Sequence, residues 1–425
     1  MYKRQLHDAH HHTGPLTLLR VRRKGEPPVL WRPFAHRERR EARLQRDLFK
    51  STLGHRLVFE EVHPDLGLAF RYGWTLADDR GLVRSVSLVN RGEAEVEVEI
   101  LDGLRNLLPF GVPLSLYQTS SCLVDAYKRC DLDEATGLAV YSLTSRILDR
   151  AEAAEELRAN AAWSVGLKGA RVCLDGAAVD AFRRGEALDH PDLLTGRRGS
   201  YLLHAERRLA GGDELRWHVV ADSGLDHAAL ARLRRRLRQN GDLAGEVEAS
   251  LQRAESRLRR IVADADGLQR SGQERGDAHH LANVLFNCMR GGVFDAGHRV
   301  ARADFVRFCE QRHRPTARAQ AGFLQALPEH LEIGELQRRA AAAGDPDLHR
   351  LSLEYLPLFF GRRHGDPSRP WNRFEIRMRD EHGRRRLGYE GNWRDIFQNW
   401  EALAHSFPRF LPGMVAAFLD ASTLD

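Results

Sequence analysis

Residues 389–401 hold the side chains whose types and spacing best suit chemistry. They read YEGNWRDIFQNWE and bring aromatic rings, amides and carboxylates close together. Sites that process sugars need aromatic faces for the pyranose ring, amides and arginines for its hydroxyl groups, and a carboxylic acid that protonates the glycosidic oxygen. If a helix begins at Arg394, Asp395 and Asn399 share one face of it, because they are one turn apart. The pattern predicts a carbohydrate site in which Asp395, or Glu390 in its place, is the catalytic acid.

The side chains around this acid would bind the substrate. The predicted substrate-binding residues are Asp366, Trp371, Asn392, Trp393, Arg394, Asn399 and Trp400. A structural interpretation also fits the sequence. In it, Asp395 only favours the start of a helix, both tryptophans of the NWRDIFQNW run belong to a core, and Glu390 is a hairpin residue. The first turn of a helix and the neighbouring Arg394 both stabilise the ionised carboxylate, so an ionised Asp395 would hold a sugar hydroxyl rather than donate a proton.

A loop upstream of this run concentrates arginines. It reads RRHGDPSRPWN, and its Arg362, Arg363 and Arg369 are predicted to bind phosphate, since guanidinium forks match phosphate and carboxylate groups. The alternative is that these arginines pair with Asp366 and Glu375 and stiffen a long loop.

No sequence motif for a cofactor or a metal stands out. The chain has no G-x-S-x-G, P-loop, G-x-G-x-x-G or H-E-x-x-H pattern, which excludes the usual esterase, nucleotide and zincin sites. The three histidines at 10–12 lie near a chain end, where disorder concentrates, so no metal site is assigned to them. We therefore predict no metal and no cofactor, with inorganic phosphate as the one candidate co-substrate.

Composition predicts a folded, soluble protein of two or three domains. The chain has 425 residues, of which 42% are hydrophobic and 29% charged, and domains contain about 150 residues each. The formal charge of +6 is small for this length, and the arginines of 232–238 fit the solvent face of a helix. Nucleic acid is therefore not a predicted partner.

The sequence also favours a location in the cytoplasm. No apolar run approaches the ~18 residues of a membrane span, and the N-terminus lacks the features of a secretory signal. We therefore predict no membrane partner. Five scattered cysteines without a C-x-x-C pair are typical of reduced thiols.

Residues 57–222 predict an antiparallel β-sandwich. Several segments alternate apolar and polar positions and are separated by turn sequences such as DDRG and NRGE. In EAEVEVEI, Ala94, Val96, Val98 and Ile100 would be buried, and the four glutamates that alternate with them would form a carboxylate ladder in water. Strands in this number without helices between them indicate a sandwich. Residues 1–56 are an N-terminal extension that can add edge strands.

Helical patterns dominate from residue 223 onward. Residues 223–275 predict a linker of two amphipathic helices, and residues 276–425 a helical domain with a β-hairpin inserted at 371–391. The predicted fold class is α+β and multidomain, with the sandwich first, the linker helices next and the helical domain last.

This order of parts, with a loop rich in Trp and Asp, resembles the cellobiose phosphorylase-like carbohydrate-active proteins. The segment SVSLVNRGEAEVEVEILDGLRNLLPFG is similar to their sandwich strands, and GNWRDIFQNWEAL to a part of their helical toroid near the sugar site. The resemblance implies that the helical domain is a partial (α/α) toroid. In that family the first Asp of a D-W-N-D stretch is the general acid. The aligned residues here are Asn392-Trp393-Arg394-Asp395, so Asn392 stands in that place and Asp395 or Glu390 would have to substitute.

The resemblance also bears on length and on function. A toroid of twelve helices takes on the order of 350 residues, and residues 276–425 supply less than half of that. We expect the N-terminal part of a longer protein, with an apolar edge of the helical domain exposed or covered by a partner copy in a homodimer. The expected function is that of a glycoside phosphorylase or hydrolase acting on an oligosaccharide. The alternative is a non-catalytic carbohydrate-binding or assembly module, which Asn392 and the short helical part favour.

Overall fold

A computed structural model describes residues 13–35, 43–147, 155–239, 241–359, 380, 386–388, 400, 401, 403–405 and 407–419. The chain divides into two compact units, Met1–Glu255 and Ser256–Asp425. The predicted α+β class is confirmed, since large antiparallel sheets are followed by helices. The boundaries predicted at 57, 223 and 276 stay predictions, and the predicted hairpin 371–391 lies outside the described residues apart from 380 and 386–388.

The first unit is built mainly of strands. Its strands are β1 (Gly14–Arg22), β2 (Val29–Trp31), β3 (Gln45–Lys50), β4 (Leu57–His63), β5 (Leu68–Leu76), β6 (Leu82–Asn90), β7 (Val96–Leu107), β8 (Lys128–Asp133), β9 (Leu138–Leu143), β10 (Arg158–Val165), β11 (Arg171–Asp175), β12 (Leu193–Thr195), β13 (Gly199–Leu209) and β14 (Glu214–Asp226). Its helices are α1 (Leu114–Thr119), α2 (Ser121–Ala126), α3 (Ala178–Arg184), α4 (His227–Arg238) and α5 (Leu243–Asp264), the last of which continues into the second unit.

Two antiparallel sheets face each other across one core. Sheet 1 has the order β11-β13-β7-β1-β2, and sheet 2 the order β12-β8-β9-β10-β14-β6-β5-β4-β3. Strands β1 to β3 come from the segment predicted as an extension. Among them β2 and β3 are edge strands, whereas β1 lies inside sheet 1 between β7 and β2. The long-range pairing of β1 with β7 is invisible to a local pattern, because it depends on a partner about eighty residues away.

The two-residue period of β7 is confirmed, with two corrections. Ala94, predicted to be buried, is exposed because it precedes the start of β7. Val96, Val98 and Ile100 are buried in the core between the sheets. The glutamates between them do not form a ladder in open water. Arg20 on β1 pairs with Glu99 at 2.6 Å, and Arg208 on β13 pairs with Glu97 at 2.8 Å. Neighbouring strands therefore supply cations opposite the acids, which is a favourable cross-strand arrangement.

A buried ion pair joins the two sheets. Arg84 of β6 donates from Nη1 to both carboxylate oxygens of Asp102 on β7, at 2.8 and 2.6 Å. Thr17 of β1 and Trp217 of β14 also donate to Asp102, at 2.6 and 2.8 Å. Because the side chains of the ion pair are at most 1% exposed, these hydrogen bonds offset the large cost of removing two charges from water.

Helices cover the outer faces of both sheets. Val179 and Phe182 of α3 pack in one apolar cluster with Leu101 of sheet 1. On sheet 2, α4 and α5 cover an outer cluster that includes Trp163 and Val247. The segment predicted as a linker therefore contributes a layer of the sandwich unit, because the apolar stripes of its helices need a surface to bury them.

The second unit consists mainly of helices in its described part. Its helices are α6 (Glu274–Gly291), α7 (Arg302–Arg312), α8 (Arg314–Ala319), α9 (Ala321–Ala326), α10 (Ile333–Ala342), α11 (Pro346–Glu354) and α12 (Leu411–Leu419). Short strands form two pairs: β15 (Val293–Phe294) with β18 (Leu358–Phe359), and β16 (Arg299–Ala301) with β17 (His330–Glu332). Helix α11 packs on both α10 and α12. Gly413 allows the close approach of α12, because a Cβ there would clash with the carbonyl oxygen of Leu353.

Helix α12 also carries an exposed apolar stripe. Leu411, Val415 and Leu419 are one turn apart and are 46%, 45% and 62% exposed. Among the described residues, no helix has the length and apolar character needed to cross a bilayer. All five cysteines are free thiols, and only Cys122 is exposed. Burial raises the pKa of the other four, Cys130, Cys173, Cys288 and Cys309, to about 12.

Candidate functional site

The residues predicted to do chemistry fall almost entirely in a part of the chain that the structure does not describe. Outside the described residues lie the acid candidates Asp395 and Glu390, the phosphate candidates Arg362, Arg363 and Arg369, and the substrate candidates Asp366, Trp371, Asn392, Trp393, Arg394 and Asn399. Trp400 is described. It is helical and only 2% exposed, which agrees with the alternative that it belongs to a core and not with an open stacking surface.

The described residues show which part of the fold holds the chain before and after the predicted site residues. Strands β15 and β18 form a two-stranded stem in which Val293 lies opposite Phe359 and Phe294 opposite Leu358. The amide of Gly388 donates to the carbonyl oxygen of Leu358 at 2.8 Å, which ties residue 388 to the stem. Gly388 has φ +115°, a conformation that a side chain disfavours. The run of residues 389–401 therefore starts directly after a residue that is fixed on the stem.

An aromatic cluster fixes the chain on the far side of the same run. The ring of Phe294 stacks on that of Phe410, with centroids 3.7 Å apart, and meets that of Phe407 edge-on at 5.3 Å. Phe294, Phe407 and Phe410 are all buried. Residues 359, 388, 407 and 410 thus converge on the stem, and the predicted site lies between them in sequence.

Next to the stem, a buried tyrosine and a half-buried carboxylate form a hydrogen-bonded pair. The hydroxyl of Tyr355 donates to Oδ2 of Asp304 at 2.7 Å. Arg307, one turn along α7, also pairs with Asp304. Burial raises the pKa of Tyr355 well above its ordinary value, and the negative charges of Asp304 and Asp295 raise it further. Tyr355 therefore remains a hydrogen-bond donor at neutral pH, and its role is to hold Asp304 rather than to exchange a proton.

A second carboxylate of this region is held by arginines. Glu354 ends α11, and its side chain is 2% exposed. Arg350 donates to its Oε1 at 2.5 Å, and Nε of Arg312, on α7, lies 3.5 Å from its Oε2. Through these two arginine partners, Glu354 joins α11 to α7, which gives its burial a structural explanation.

Sequence reasoning missed the stem and the pair of Tyr355 with Asp304. The stem strands have two residues each, too few to show a period, and the two members of the pair are 51 positions apart. Within the described ranges, no His, Cys, Asp and Glu side chains form a group of three or more that could hold a metal ion.

Residues 294–357 match the family model described as glycoside hydrolase family 149 insertion domain 1. This segment is the one that the stem closes, since β15 ends at Phe294 and β18 begins directly after residue 357. The amide of Asp295 also donates to the carbonyl oxygen of Pro357 at 3.1 Å. Adjacent ends are what an inserted domain needs, because the host chain must enter and leave at one place.

The chain is also similar to solved structures at low identity. A bacterial glucoamylase in complex with acarbose matches at 11% identity and a TM-score of 0.36, over 80% of this chain and 49% of that chain. A putative kojibiose phosphorylase from the human microbiome matches at 7% and 0.30, over 68% of this chain and 35% of that chain. A heparan sulfate lyase from Pedobacter heparinus matches at 12% and 0.22, over 43% and 22%.

The match to the family model covers residues 294–357, a minor part of the chain. The chain spans about half the length of the glucoamylase that it matches. Among curated protein sequences, none matches the chain. In the segment that the stem closes, the chain is similar to a domain of a glycoside hydrolase family. The chain resembles carbohydrate-active enzymes in that segment.

Proposed function

We propose that the protein acts on an oligosaccharide as a glycoside phosphorylase or hydrolase of the cellobiose phosphorylase-like kind. The observation that carries this proposal is the match of residues 294–357 to an insertion domain of a glycoside hydrolase family. It is supported by the stem, which closes that segment and holds the chain on both sides of the run predicted to do sugar chemistry.

In the proposed reaction, a carboxylic acid protonates the leaving oxygen. Asp395 is our first candidate for this acid and Glu390 the second. The proton passes to the glycosidic oxygen as its bond to the anomeric carbon breaks. In phosphorolysis, an oxygen of inorganic phosphate then bonds to the anomeric carbon from the opposite face, and a sugar 1-phosphate forms. In hydrolysis with inversion, a second carboxylate must take a proton from the attacking water.

The arginines of the loop upstream of the run suit phosphorolysis. Arg362, Arg363 and Arg369 would hold the phosphate dianion with their guanidinium forks. The predicted substrate residues Asp366, Trp371, Asn392, Trp393, Arg394 and Asn399 would contact the sugar.

An assay of products with and without phosphate tests this function. Purified protein is incubated with a panel of neutral oligosaccharides, and both reducing ends and sugar 1-phosphate are measured. Sugar 1-phosphate that forms only when phosphate is present identifies a phosphorylase, and reducing ends without phosphate identify a hydrolase. If no member of the panel yields either product, that result contradicts an enzymatic function for this chain.

The acid assignment has its own test on any glycoside that the protein processes. Asp395→Asn should lower turnover by about 100-fold or more if Asp395 is the acid, and should mainly raise KM if it only binds sugar. Glu390→Gln is the matched variant, because it also replaces a carboxyl by an amide of the same shape. If only Glu390→Gln lowers turnover, Glu390 is the acid. Near-wild-type turnover and affinity in both variants would contradict both assignments.

A non-catalytic carbohydrate-binding module is the second candidate. The observation that favours it is Asn392, an amide at the position where the resembling family has its acid. Binding of an oligosaccharide, measured by calorimetry, without either product in the assay above would favour this function over the first.

A further inference from the structure

An irregular segment between α3 and β12, residues 186–192, lies on the outer face of sheet 1, and we call it the strap. Backbone hydrogen bonds fix its two ends. The amide of Glu186 donates to the carbonyl oxygen of Ala181 at 3.0 Å, and the amide of Leu132 donates to the carbonyl oxygen of Asp192 at 2.7 Å. Any movement of the strap is therefore confined to the residues between these two points.

Two side chains hold the middle of the strap on the sheet. Leu188 packs against the outer apolar cluster that contains Cys173 and Phe182. Nδ1 of the half-buried His190 lies 3.2 Å from the carbonyl oxygen of Val172 on β11. Because a carbonyl oxygen only accepts hydrogen bonds, Nδ1 carries a proton and donates it, and Nε2 is the nitrogen that can take up a second proton.

The strap and α3 cover the thiol of Cys173. This side chain is fully buried, and its Sγ lies 3.3 Å from Nδ1 of His190. A ring nitrogen that already donates cannot take the proton of the thiol, so His190 does not activate Cys173 as a base would. Burial raises the pKa of Cys173 to about 12. The reactivity of this thiol is therefore limited by its cover.

A second histidine lies against the first. The rings of His190 and His204 are stacked, with centroids 5.6 Å apart and planes 16° from parallel. Nε2 of His204 is 3.0 Å from Oε1 of Glu99, and Arg20 pairs with the same carboxylate. The ring of Phe182 meets that of His204 edge-on. A protonated His204 thus has a carboxylate partner on β7, whereas a protonated His190 would be stacked on a second cation when both rings are charged.

The other charges that face His190 come from β11 and from the strap itself. Arg171 lies on β11, and Asp189 is the neighbouring residue in the strap. Burial lowers the pKa of His190 below its ordinary value, and the hydrogen bond to Val172 partly opposes this shift. The charges of Arg171 and His204 lower the pKa further, while that of Asp189 raises it. Neutral His190 is the form that fits the closed strap.

We propose that the strap is an acid-sensitive cover of Cys173, which opens when His190 takes up a proton and then leaves the thiol accessible to reagents. Once the strap is open, water solvates the imidazolium ring and its pKa returns to the ordinary value of about 6.5. The open form therefore binds more protons than the closed form below that pH, so opening becomes more favourable as the pH falls and the strap stays closed above it. This device lies in the sandwich unit and is independent of the proposed reaction.

Thiol labelling of the full chain at pH 7.5 and pH 5 tests the cover. The reagent is a dithiodipyridine, which reacts with thiols at both pH values, and mass spectrometry of the peptides gives the rate at each cysteine. Exposed Cys122 is the reference for the reagent, and Cys130, buried between the two sheets, reports unfolding of the whole unit. The labelling rate of Cys173 relative to Cys122 should rise by about 3-fold to 30-fold at pH 5, because one proton changes an opening equilibrium by at most about tenfold per pH unit below 6.5. Cys130 should stay protected at both pH values.

Variants separate the proton from the cover. His190→Gln keeps a donor for Val172 but cannot be protonated, so its relative rate should differ by less than about twofold between the two pH values. His227→Gln is the matched control, since His227 is an exposed histidine of the same unit, and it should keep the full effect of pH. Leu188→Ala should raise labelling of Cys173 about fivefold at pH 7.5, because it removes apolar contact from the closed strap.

Four results would overturn the proposal. They are an equal relative rate of Cys173 at both pH values, a parallel rise of Cys130, a full effect of pH in His190→Gln, and unchanged labelling of Cys173 in Leu188→Ala. Thermal melting checks that the variants fold. The comparison of Cys173 with Cys130 in the wild-type chain needs no variant, so it decides the question even if His190→Gln does not fold.

Discussion

The two units bury their polar groups in different ways. In the sandwich unit, Arg84 and Asp102 lie at the centre, and both oxygens of Asp102 accept hydrogen bonds from side chains of the two sheets. In the helical unit, Asp304 of α7 accepts a hydrogen bond from Tyr355, which follows α11 and precedes the stem strand β18. The first network holds two sheets together. The second joins α7 to the end of α11.

This difference shows that burial alone does not identify a functional carboxylate. Asp102 is fully buried but is held by a cation and two further donors, which join the two sheets. A general acid needs the opposite environment, in which burial is not compensated by cations. The carboxylates Asp102, Asp304 and Glu354 all have an arginine partner, so each has a structural explanation.

The largest expected effect comes from breaking the sandwich network. Asp102→Ala should lower the free energy of unfolding of the first unit by about 3–5 kcal/mol, because it leaves Arg84 charged in the core. Urea unfolding followed by the fluorescence of the buried tryptophans measures this change. Replacing both partners, in Arg84→Met/Asp102→Leu, should be less destabilising than the single change. A loss below about 1 kcal/mol in Asp102→Ala would contradict the structural role.

The corresponding change in the helical unit removes a stacked ring. Phe410→Ala should lower the stability of the second unit by about 3 kcal/mol, since Phe410 is fully buried against Phe294. Hydrogen exchange read by mass spectrometry should show faster exchange in the second unit and unchanged protection in β7. Leu419→Ala, at an exposed position, is the control and should cost less than about 0.5 kcal/mol. Equal effects of the two variants would contradict the aromatic anchor at the stem.

Each unit has a buried tyrosine whose hydroxyl donates one hydrogen bond, and the strengths of these two bonds can be compared. Tyr355 donates to the carboxylate of Asp304, whereas Tyr141, in the sandwich, donates to the backbone carbonyl of Ser200 at 2.8 Å. Tyr355→Phe should cost about 1.5–3 kcal/mol, and Tyr141→Phe about 1 kcal/mol, because bonds to charged acceptors are stronger. Chemical unfolding of each variant measures both values. A greater loss in Tyr141→Phe would contradict the role of Asp304 as the acceptor of Tyr355.

The smallest effect is expected on the outer face of sheet 1. The hydrogen bond with His204 lowers the pKa of Glu99; burial partly opposes this shift, and the charge of Arg20 adds to it. Ionised Glu99 therefore contributes stability above its ordinary pKa of about 4.3, and this contribution is lost as the pH falls through the lower folded-state pKa. Between pH 7 and pH 3, wild type should lose a few tenths to 1 kcal/mol more than Glu99→Gln. Identical losses in a pH series of urea unfolding would contradict this pairing.

Some of the candidate sites could be read from the sequence, and others could not. The run YEGNWRDIFQNWE draws attention because its residue types are concentrated in one short segment. The stem carries no such local signal, because each of its strands has only two residues. Only the fold shows that Val293 and Phe294 pair with Phe359 and Leu358, which lie far away in the sequence.

The sequence by itself determined the local structure of this protein. The period of two places Val98 inside and Glu99 outside on β7, and apolar residues at helical spacing define α4 and α5. These patterns are local, because each residue's face is set by its own strand or helix. The tertiary structure alone decided which distant segments meet. It placed β1 inside sheet 1, the predicted linker helices on sheet 2, and Arg84 opposite Asp102. The physical reason is that strand pairing, helix docking and a buried ion pair gain free energy only from partners that folding brings together.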